Sequence, residues 1–180
     1  PAVAILLSND DGIASEGLAA LRAALAPLDE LWVVAPDRDQ SAVSHALTLQ
    51  RPLRIEPAGL RTFTVDGTPT DCVMLALGAV LEDHKPDLIL SGVNRGGNLA
   101  EDVTYSGTVS AAMEGCLAGI RSIALSQVMM DYTAGMEDFS CATAHGAAII
   151  SRVIATEWPD GVLININFPP VIAADVTGVR

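Results

Sequence analysis

The chain has 180 residues, of which 50% are hydrophobic, and its formal net charge is −12. No apolar run approaches the ~20 residues that cross a bilayer, so we expect a hydrophobic core and no membrane partner. The acidic balance also argues against nucleic acid, whose binding requires a basic surface.

The size of the chain suits a single domain over residues 1–180. Aromatic residues make up only 4% of it, whereas Ala, Val, Leu and Ile dominate. This composition is typical of a buried parallel sheet covered by helices.

The first part of the chain alternates apolar runs with a helical pattern. Residues 3–7 and 31–35 are continuous apolar runs that predict buried strands. Leucines at three- and four-residue spacing predict a helix over residues 15–28. Two shorter runs, at 53–55 and 63–65, predict a short β excursion.

The second part begins with a helix-start signal. Thr68 is the predicted N-cap, Pro69 follows at the first helical position, and Asp71 completes a capping box. We expect this helix to run to about residue 82.

The same alternation continues to the end of the chain. Strands are predicted at 88–90, 123–125 and 162–166, and helices from Ser106 or Gly107 to 117 and over 142–157. This order predicts an α/β fold with a doubly wound, mostly parallel sheet flanked by helices. Residues 128–139 suit a mobile loop. The final "DVTGVR" resembles the start of another strand, so we expect the natural protein to continue.

Two adjacent carboxylates, Asp10 and Asp11, follow the first strand in "LLSNDDGI". Ligands of open parallel sheets bind beyond the carboxyl ends of the strands, where this motif lies. A divalent cation would screen the two charges, and oxygen ligands favour Mg²⁺, Mn²⁺ or Ca²⁺ over zinc. Ser41 and Asn94, after neighbouring strands, would add neutral oxygens. A solvated turn is the alternative.

The stretch "YSGTVSAAMEG" predicts an anion site at a helix start. Ser106, Gly107 and Thr108 combine free backbone N–H groups, room for close approach and two hydroxyls. An ordinary serine N-cap is the alternative. In "NRGGN", the glycines would let Asn94 and Asn98 reach the same cation and anion.

Five ordered motifs, "ILLSNDDG", "VVAPDRDQS", "VDGTPTDCV", "SGVNRGGN" and "YSGTVSAAMEG", resemble the SurE family of metal-dependent nucleotidases. The similarity spans residues 5–168 and implies a Rossmann-like core. It also implies one Mn²⁺ or Mg²⁺ per subunit on Asp10, Asp11, Ser41 and Asn94. The implied phosphate contacts are Asn98, Ser106, Gly107 and Thr108.

The resemblance further implies hydrolysis of nucleoside 5′- and 3′-monophosphates and, as in several members, of short polyphosphate. It implies a homodimer or homotetramer, although the C-terminal extension that supplies much of the family's oligomer contact is missing here. Asp10 or Asp11 would take the proton of the attacking water, or one of them would attack phosphorus directly.

Other functions fit the sequence less well. A metal-dependent nucleotide-binding module without turnover is the main alternative. A haloacid-dehalogenase-type phosphatase needs Asp-x-Asp, whereas the aspartates here are adjacent. The chain has neither the GxGxxG of a dinucleotide oxidoreductase after its first strand nor the GxSxG of a serine hydrolase.

The three cysteines of the chain form no CxxC pair and no signal peptide is visible, so we expect a cytoplasmic protein.

Overall fold

A computed structural model describes residues 3–27, 30–133, 135 and 137–180. Its sheet has seven strands in the order β3-β4-β2-β1-β5-β6-β7. The strands are β1 (Ala4–Ser8), β2 (Glu30–Pro36), β3 (Ile55–Gly59), β4 (Thr62–Val65), β5 (Leu88–Arg95), β6 (Arg121–Gln127) and β7 (Ile164–Phe168). β3 runs antiparallel to β4, and all other pairs are parallel, so the short excursion is a hairpin at one edge.

Helices cover both faces of the sheet, as expected for a doubly wound fold. They are α1 (Glu16–Ala24), α2 (Pro69–Leu75), α3 (Asp102–Tyr105), α4 (Gly107–Leu117) and α5 (Ser140–Ile154), with a 3₁₀ turn at Ala173–Asp175. No helix in the described ranges is long and apolar enough to cross a membrane.

Alternate side chains of each central strand enter different cores. In β1, Ile5 and Leu7 pack with the leucines of α1 and with α5, whereas Leu6 packs with α2 and α4. Because both faces are buried, the strand reads as one uninterrupted apolar run. The polar residues that follow the parallel strands thus lie together at the carboxyl ends of those strands, between the two helical layers.

The predicted start of α2 is confirmed, and the helical segment ends at Val80, two residues before the predicted end, but with a change of helix type that was not predicted. Thr68 and Asp71 form the reciprocal capping box, with Pro69 in the first turn. The α-helix ends at Leu75 and continues as a π-helical turn, Ala76–Val80. Gly78 lies in that turn, where its low helix propensity weakens the α conformation.

Strand β5 is longer than predicted and α3 was not predicted. After an irregularity between Ser91 and Asn94, β5 resumes pairing with β6, so "SGVNR" belongs to the strand rather than to a loop. This extension carries Asn94 and Arg95 to the sheet edge on a strand. A strand is a firmer support for a site residue than a loop.

The predicted helix over 15–28 is α1, capped by Ser15, and Leu28 lies outside the described residues. The helix predicted over 142–157 begins two residues earlier and ends at Ile154. The strand start predicted in the last six residues is wrong, because 176–180 form no strand and are mostly exposed. Residues 128–133, 135 and 137–139 contain no helix or strand, and residues 134 and 136 lie outside the described residues.

Candidate active site

The turn after β1 is held by its own side chains. The amide Nδ2 of Asn9 donates to the carbonyl of Gly12 (2.9 Å) and to the hydroxyl of Ser15 (2.7 Å). Gly12 has a φ of +94°, and a β-carbon there would lie 3.0 Å from the backbone of the loop after β2. Both the conformation and the space therefore require glycine.

Asp10 and Asp11 are adjacent in sequence but bind different elements. Asp10 accepts a hydrogen bond from the hydroxyl of Thr108 at the start of α4. Asp11 Oδ2 accepts one from the backbone N–H of Arg95 at the end of β5, with an N–O distance of 3.1 Å. Asp10 is only 4% exposed, so a solvated turn does not describe it.

Burial destabilises the ionised forms of Asp10 and Asp11. Burial, followed by the charge of Asp11, raises the pKa of Asp10 to about 6, while the bond from Thr108 acts in the opposite direction. Burial also raises the pKa of Asp11, where the N–H of Arg95 lowers it and the charge of Asp39 adds to the rise. A bound cation would offset this cost for both carboxylates.

Ser41 lies in the loop after β2, which is tied to Asp10. The N–H of Gln40 donates to the carbonyl of Asp10 (2.8 Å). The N–H and the hydroxyl of Ser41 both donate to Asp39 Oδ1, at 2.7 and 2.6 Å. Because the hydroxyl proton is used there, the lone pairs of Ser41 Oγ face away from Asp39 as acceptors.

Asn94 occupies the end of β5, beside the residue that binds Asp11. Its Nδ2 donates to the carbonyl of Gly96 (2.8 Å), which fixes the orientation of the amide. No described residue donates a hydrogen bond to its Oδ1. This oxygen is therefore an acceptor held at the sheet edge, as a cation ligand requires.

The donor set of the candidate site fits a hard divalent cation. It comprises two carboxylates, a hydroxyl and an amide oxygen, which suit Mg²⁺ or Mn²⁺ better than a soft metal. Within the described ranges there is no cluster of three or more His, Cys, Asp or Glu that could hold a metal. The fit thus depends on Ser41 and Asn94 completing the pair of aspartates, which stays a prediction.

The start of α4 lies directly against Asp10. Ser106 caps the helix, its Oγ accepting from the N–H of Val109 (3.1 Å). A β-carbon on Gly107 would lie 2.7 Å from the Cβ of Asp10, so only glycine lets the helix approach this closely. Ser106, Gly107 and Thr108 are all buried. The predicted cation ligands and the predicted anion site are therefore neighbours.

Asn98 is buried, and hydrogen bonds from β7, the outer strand of the sheet, fix its position. Its backbone N–H donates to Asn167 Oδ1 (2.8 Å), and its carbonyl accepts from Asn165 (2.9 Å) and Asn167 (3.2 Å), both on β7. Its Nδ2 donates to the hydroxyl of Ser126 (2.8 Å). One amide proton of Asn98 remains for a ligand.

With this geometry in place, comparisons with known proteins identify the relatives of the chain. The family model described as "Survival protein SurE" matches residues 5–180. The chain belongs to the SurE family.

Individual relatives agree with the family assignment. The 5′-nucleotidase SurE of Methylobacterium radiotolerans is 53% identical over 176 residues, which are 97% of this chain and 69% of that protein. The 5′-nucleotidase SurE of Erythrobacter litoralis is 55% identical, over 98% of this chain and 70% of its own. The crystal structure of the Sure protein from Aquifex aeolicus superposes with a TM-score of 0.90 at 43% identity, covering 98% of this chain and 70% of that one.

The SurE fold brings one further segment to the site that sequence analysis did not place. Arg95 Nε contacts Glu137 Oε1 at 2.9 Å, its Nη2 donates to the carbonyl of Tyr132, and its guanidinium lies 5.8 Å from the centre of the Tyr132 ring. The segment after β6 is thus attached beside Asp11. Asp11, Arg95 and Glu137, together with Asp39, border a cleft of about 380 Å³.

The sequence analysis also did not identify Asn165 and Asn167, which hold Asn98 in place. Their signal is present in the strand "ININF", where two amides alternate with apolar residues and so point to one face. Arg95 and Glu137 carry no such signal, because their contact joins segments 42 residues apart in a loop without periodicity.

Proposed function

We propose that this SurE-family chain is a 5′-nucleotidase that hydrolyses nucleoside 5′- and 3′-monophosphates to nucleoside and phosphate. The cation would be Mn²⁺ or Mg²⁺, one per subunit, held by Asp10, Asp11, Ser41 and Asn94. The observation that carries the proposal is the direct packing of the start of α4 on buried Asp10. The names of the relatives, 5′-nucleotidase SurE, support the same reaction.

The proposed site reconciles an anionic substrate with an acidic chain. When bound, the cation supplies Lewis-acid chemistry, withdrawing charge from a phosphoryl oxygen and lowering the pKa of water. The N–H groups at the start of α4 favour the negative charge of the phosphate, and Asn98, fixed by β7, adds a donor. Most of the catalysis is then placement and charge stabilisation.

Asp10 and Asp11 are the candidates for accepting the proton of the attacking water. Burial raises the pKa of both carboxyl groups in the cation-free protein. A bound cation would hold both of them ionised, which is the form that a general base requires. Direct attack of one carboxylate on phosphorus is the other route: the P–O bond to the nucleoside would break, the nucleoside would leave with a proton from water, and water would then hydrolyse the acyl-phosphate.

Phosphate release from 5′-AMP, 3′-AMP and tripolyphosphate, measured with Mn²⁺, with Mg²⁺ and with EDTA, tests this function. We expect turnover with a cation and none with EDTA. Asp10→Asn should lower kcat by at least about 100-fold, whereas Asp83→Asn, an exposed carboxylate before β5 at the opposite edge of the sheet, should retain full activity. Folded protein that binds nucleotide but releases no phosphate would contradict the proposal and favour a binding module.

The oligomeric state and location belong to the same proposal. A homodimer or homotetramer is supported by membership of the SurE family, whose members the sequence resemblance implied to be oligomeric. A cytoplasmic location is supported by three cysteines that form no disulfide, Cys72, Cys116 and Cys141. Light scattering after size exclusion and cell fractionation test these two points.

A further inference from the structure

The start of α4 gives Asp10 one specific partner. Thr108 is fully buried, and its hydroxyl donates a hydrogen bond to Oδ1 of Asp10. The family resemblance implies that Thr108 contacts the phosphate of the substrate. In the structure its hydroxyl is instead engaged by the carboxylate.

The hydroxyl cannot serve both partners as a donor. Thr108 has one hydroxyl proton, while an ionised carboxylate and an ionised phosphate ester are both acceptors. A phosphate contact through this proton would leave Asp10, itself 4% exposed, without the donor that favours its charged form. Of the two alternatives, moving the hydroxyl proton to the phosphate costs more free energy, because it leaves a buried charge without its hydrogen bond.

We propose that the hydroxyl of Thr108 is a positioning group, which fixes the carboxylate of Asp10 for cation binding and leaves the phosphate to the backbone N–H groups at the start of α4. The proposal rests on the proposed function, since it takes Asp10 as a cation ligand. A carboxylate bonded through one oxygen cannot rotate freely, yet both of its oxygens keep lone pairs for a cation. Partners of metal ligands commonly change metal affinity 10- to 100-fold.

Gly107 restricts the same carboxylate from the other side. A β-carbon at position 107 would lie 3.0 Å from Oδ2 of Asp10, so any side chain there would press on the second oxygen. Asp10 is thus held between a hydroxyl and a glycine from consecutive residues. This arrangement orients a side chain and leaves the backbone N–H groups of the helix start for the anion.

Three substitutions separate the two roles of Thr108. Thr108→Val removes the hydroxyl at nearly constant volume, and Thr108→Ser keeps the hydroxyl. Thr70→Val is the matched control, because Thr70 is also fully buried, lies on the neighbouring helix α2, and has no hydrogen-bond partner for its hydroxyl among the described residues. Thr108→Ala replaces Thr108→Val if circular dichroism shows that the valine variant does not fold.

Two affinities are measured on each variant of the full chain. The Mn²⁺ Kd is obtained by electron paramagnetic resonance without any phosphate compound. The Kd of inorganic phosphate is then obtained at a Mn²⁺ concentration that saturates that variant. We expect Thr108→Val to weaken Mn²⁺ binding about 10-fold or more and to change phosphate binding less than 3-fold. Thr108→Ser and Thr70→Val should both stay within 3-fold of the wild type for Mn²⁺.

The outcomes distinguish this proposal from the proposed function. An unchanged Mn²⁺ Kd in Thr108→Val overturns the positioning role, and weaker phosphate binding in that variant would assign Thr108 to the phosphate. A Thr108→Ser variant as weak as Thr108→Val also overturns it, because the hydroxyl would then not be the cause. A wild-type chain that binds no Mn²⁺ overturns the cation site itself, before any variant is compared.

Discussion

Gly107 and Asp10 are in closer contact than any other residue type at position 107 would allow. A β-carbon there would lie 2.7 Å from the Cβ of Asp10 and 3.0 Å from its Oδ2. The glycine therefore sets the distance between the start of α4 and the turn after β1. These are the two elements that carry the predicted anion and cation sites.

Gly107→Ala should displace Asp10 from the start of α4 and damage the site. We expect a loss of stability of about 1–3 kcal/mol, typical of overpacking a buried contact, and a fall in kcat of at least about 10-fold. Gly78→Ala is the control, because a β-carbon at position 78 meets nothing within 4 Å. Urea denaturation and phosphate release measure the two effects. Full activity in Gly107→Ala would show that the site does not depend on this contact.

Asp10→Asn should abolish turnover and yet stabilise the cation-free protein at neutral pH. Burial raises the pKa of Asp10 from 3.8 to about 6, so the folded state holds this proton more tightly than the unfolded state. The resulting stabilisation is complete below about pH 4 and is lost as the pH rises through about 6. At pH 7 the substitution should therefore add up to about 3 kcal/mol to the free energy of unfolding.

Denaturation in EDTA at pH 7 and at pH 4 measures this difference. The gain from Asp10→Asn should disappear at pH 4, where Asp10 is protonated in the wild type. Asp83→Asn, which removes an exposed carboxylate, should change stability by less than about 0.5 kcal/mol at either pH. An Asp10→Asn variant that is less stable than the wild type at pH 7 would contradict the electrostatic account.

Local patterns in the sequence predicted strands and helix caps, whereas contacts between distant segments could not be predicted from it. The apolar run of β1 and the Thr68 capping box could be read directly, because burial on both faces and helix capping leave local signals. The bond from Thr108 to Asp10 joins residues 98 apart, and no spacing rule relates them. Motifs identified both residues as polar groups at strand and helix ends, but only the fold showed that they touch.

Asn167→Ala should weaken phosphate binding by releasing Asn98. Asn167 Oδ1 accepts from the backbone N–H of Asn98 and its Nδ2 donates to the Asn98 carbonyl, so the substitution removes both bonds. We expect KM for 5′-AMP to rise about 5- to 10-fold, with an unchanged Mn²⁺ Kd. Asn165→Ala removes a single bond to the Asn98 carbonyl and should raise KM less. Equal KM values for Asn167→Ala and the wild type would remove Asn98 from the phosphate site.

Glu137→Gln should loosen the segment after β6 without affecting the cation. Glu137 pairs with the Arg95 side chain, whereas the hydrogen bond that Asp11 accepts from the described part of the chain comes from the Arg95 backbone, which the substitution leaves in place. We expect faster hydrogen exchange of the backbone amides of residues 137–139 and an unchanged Mn²⁺ Kd.

In an Arg95→Gln background the change at Glu137 should have no further effect, because the partner charge is already absent. Arg38→Gln, which breaks an exposed pair with Asp37, serves as the control and should leave that exchange unaltered. A weaker Mn²⁺ Kd in Glu137→Gln would mean that the segment after β6 helps to hold Asp11, and that its attachment to Arg95 belongs to the cation site.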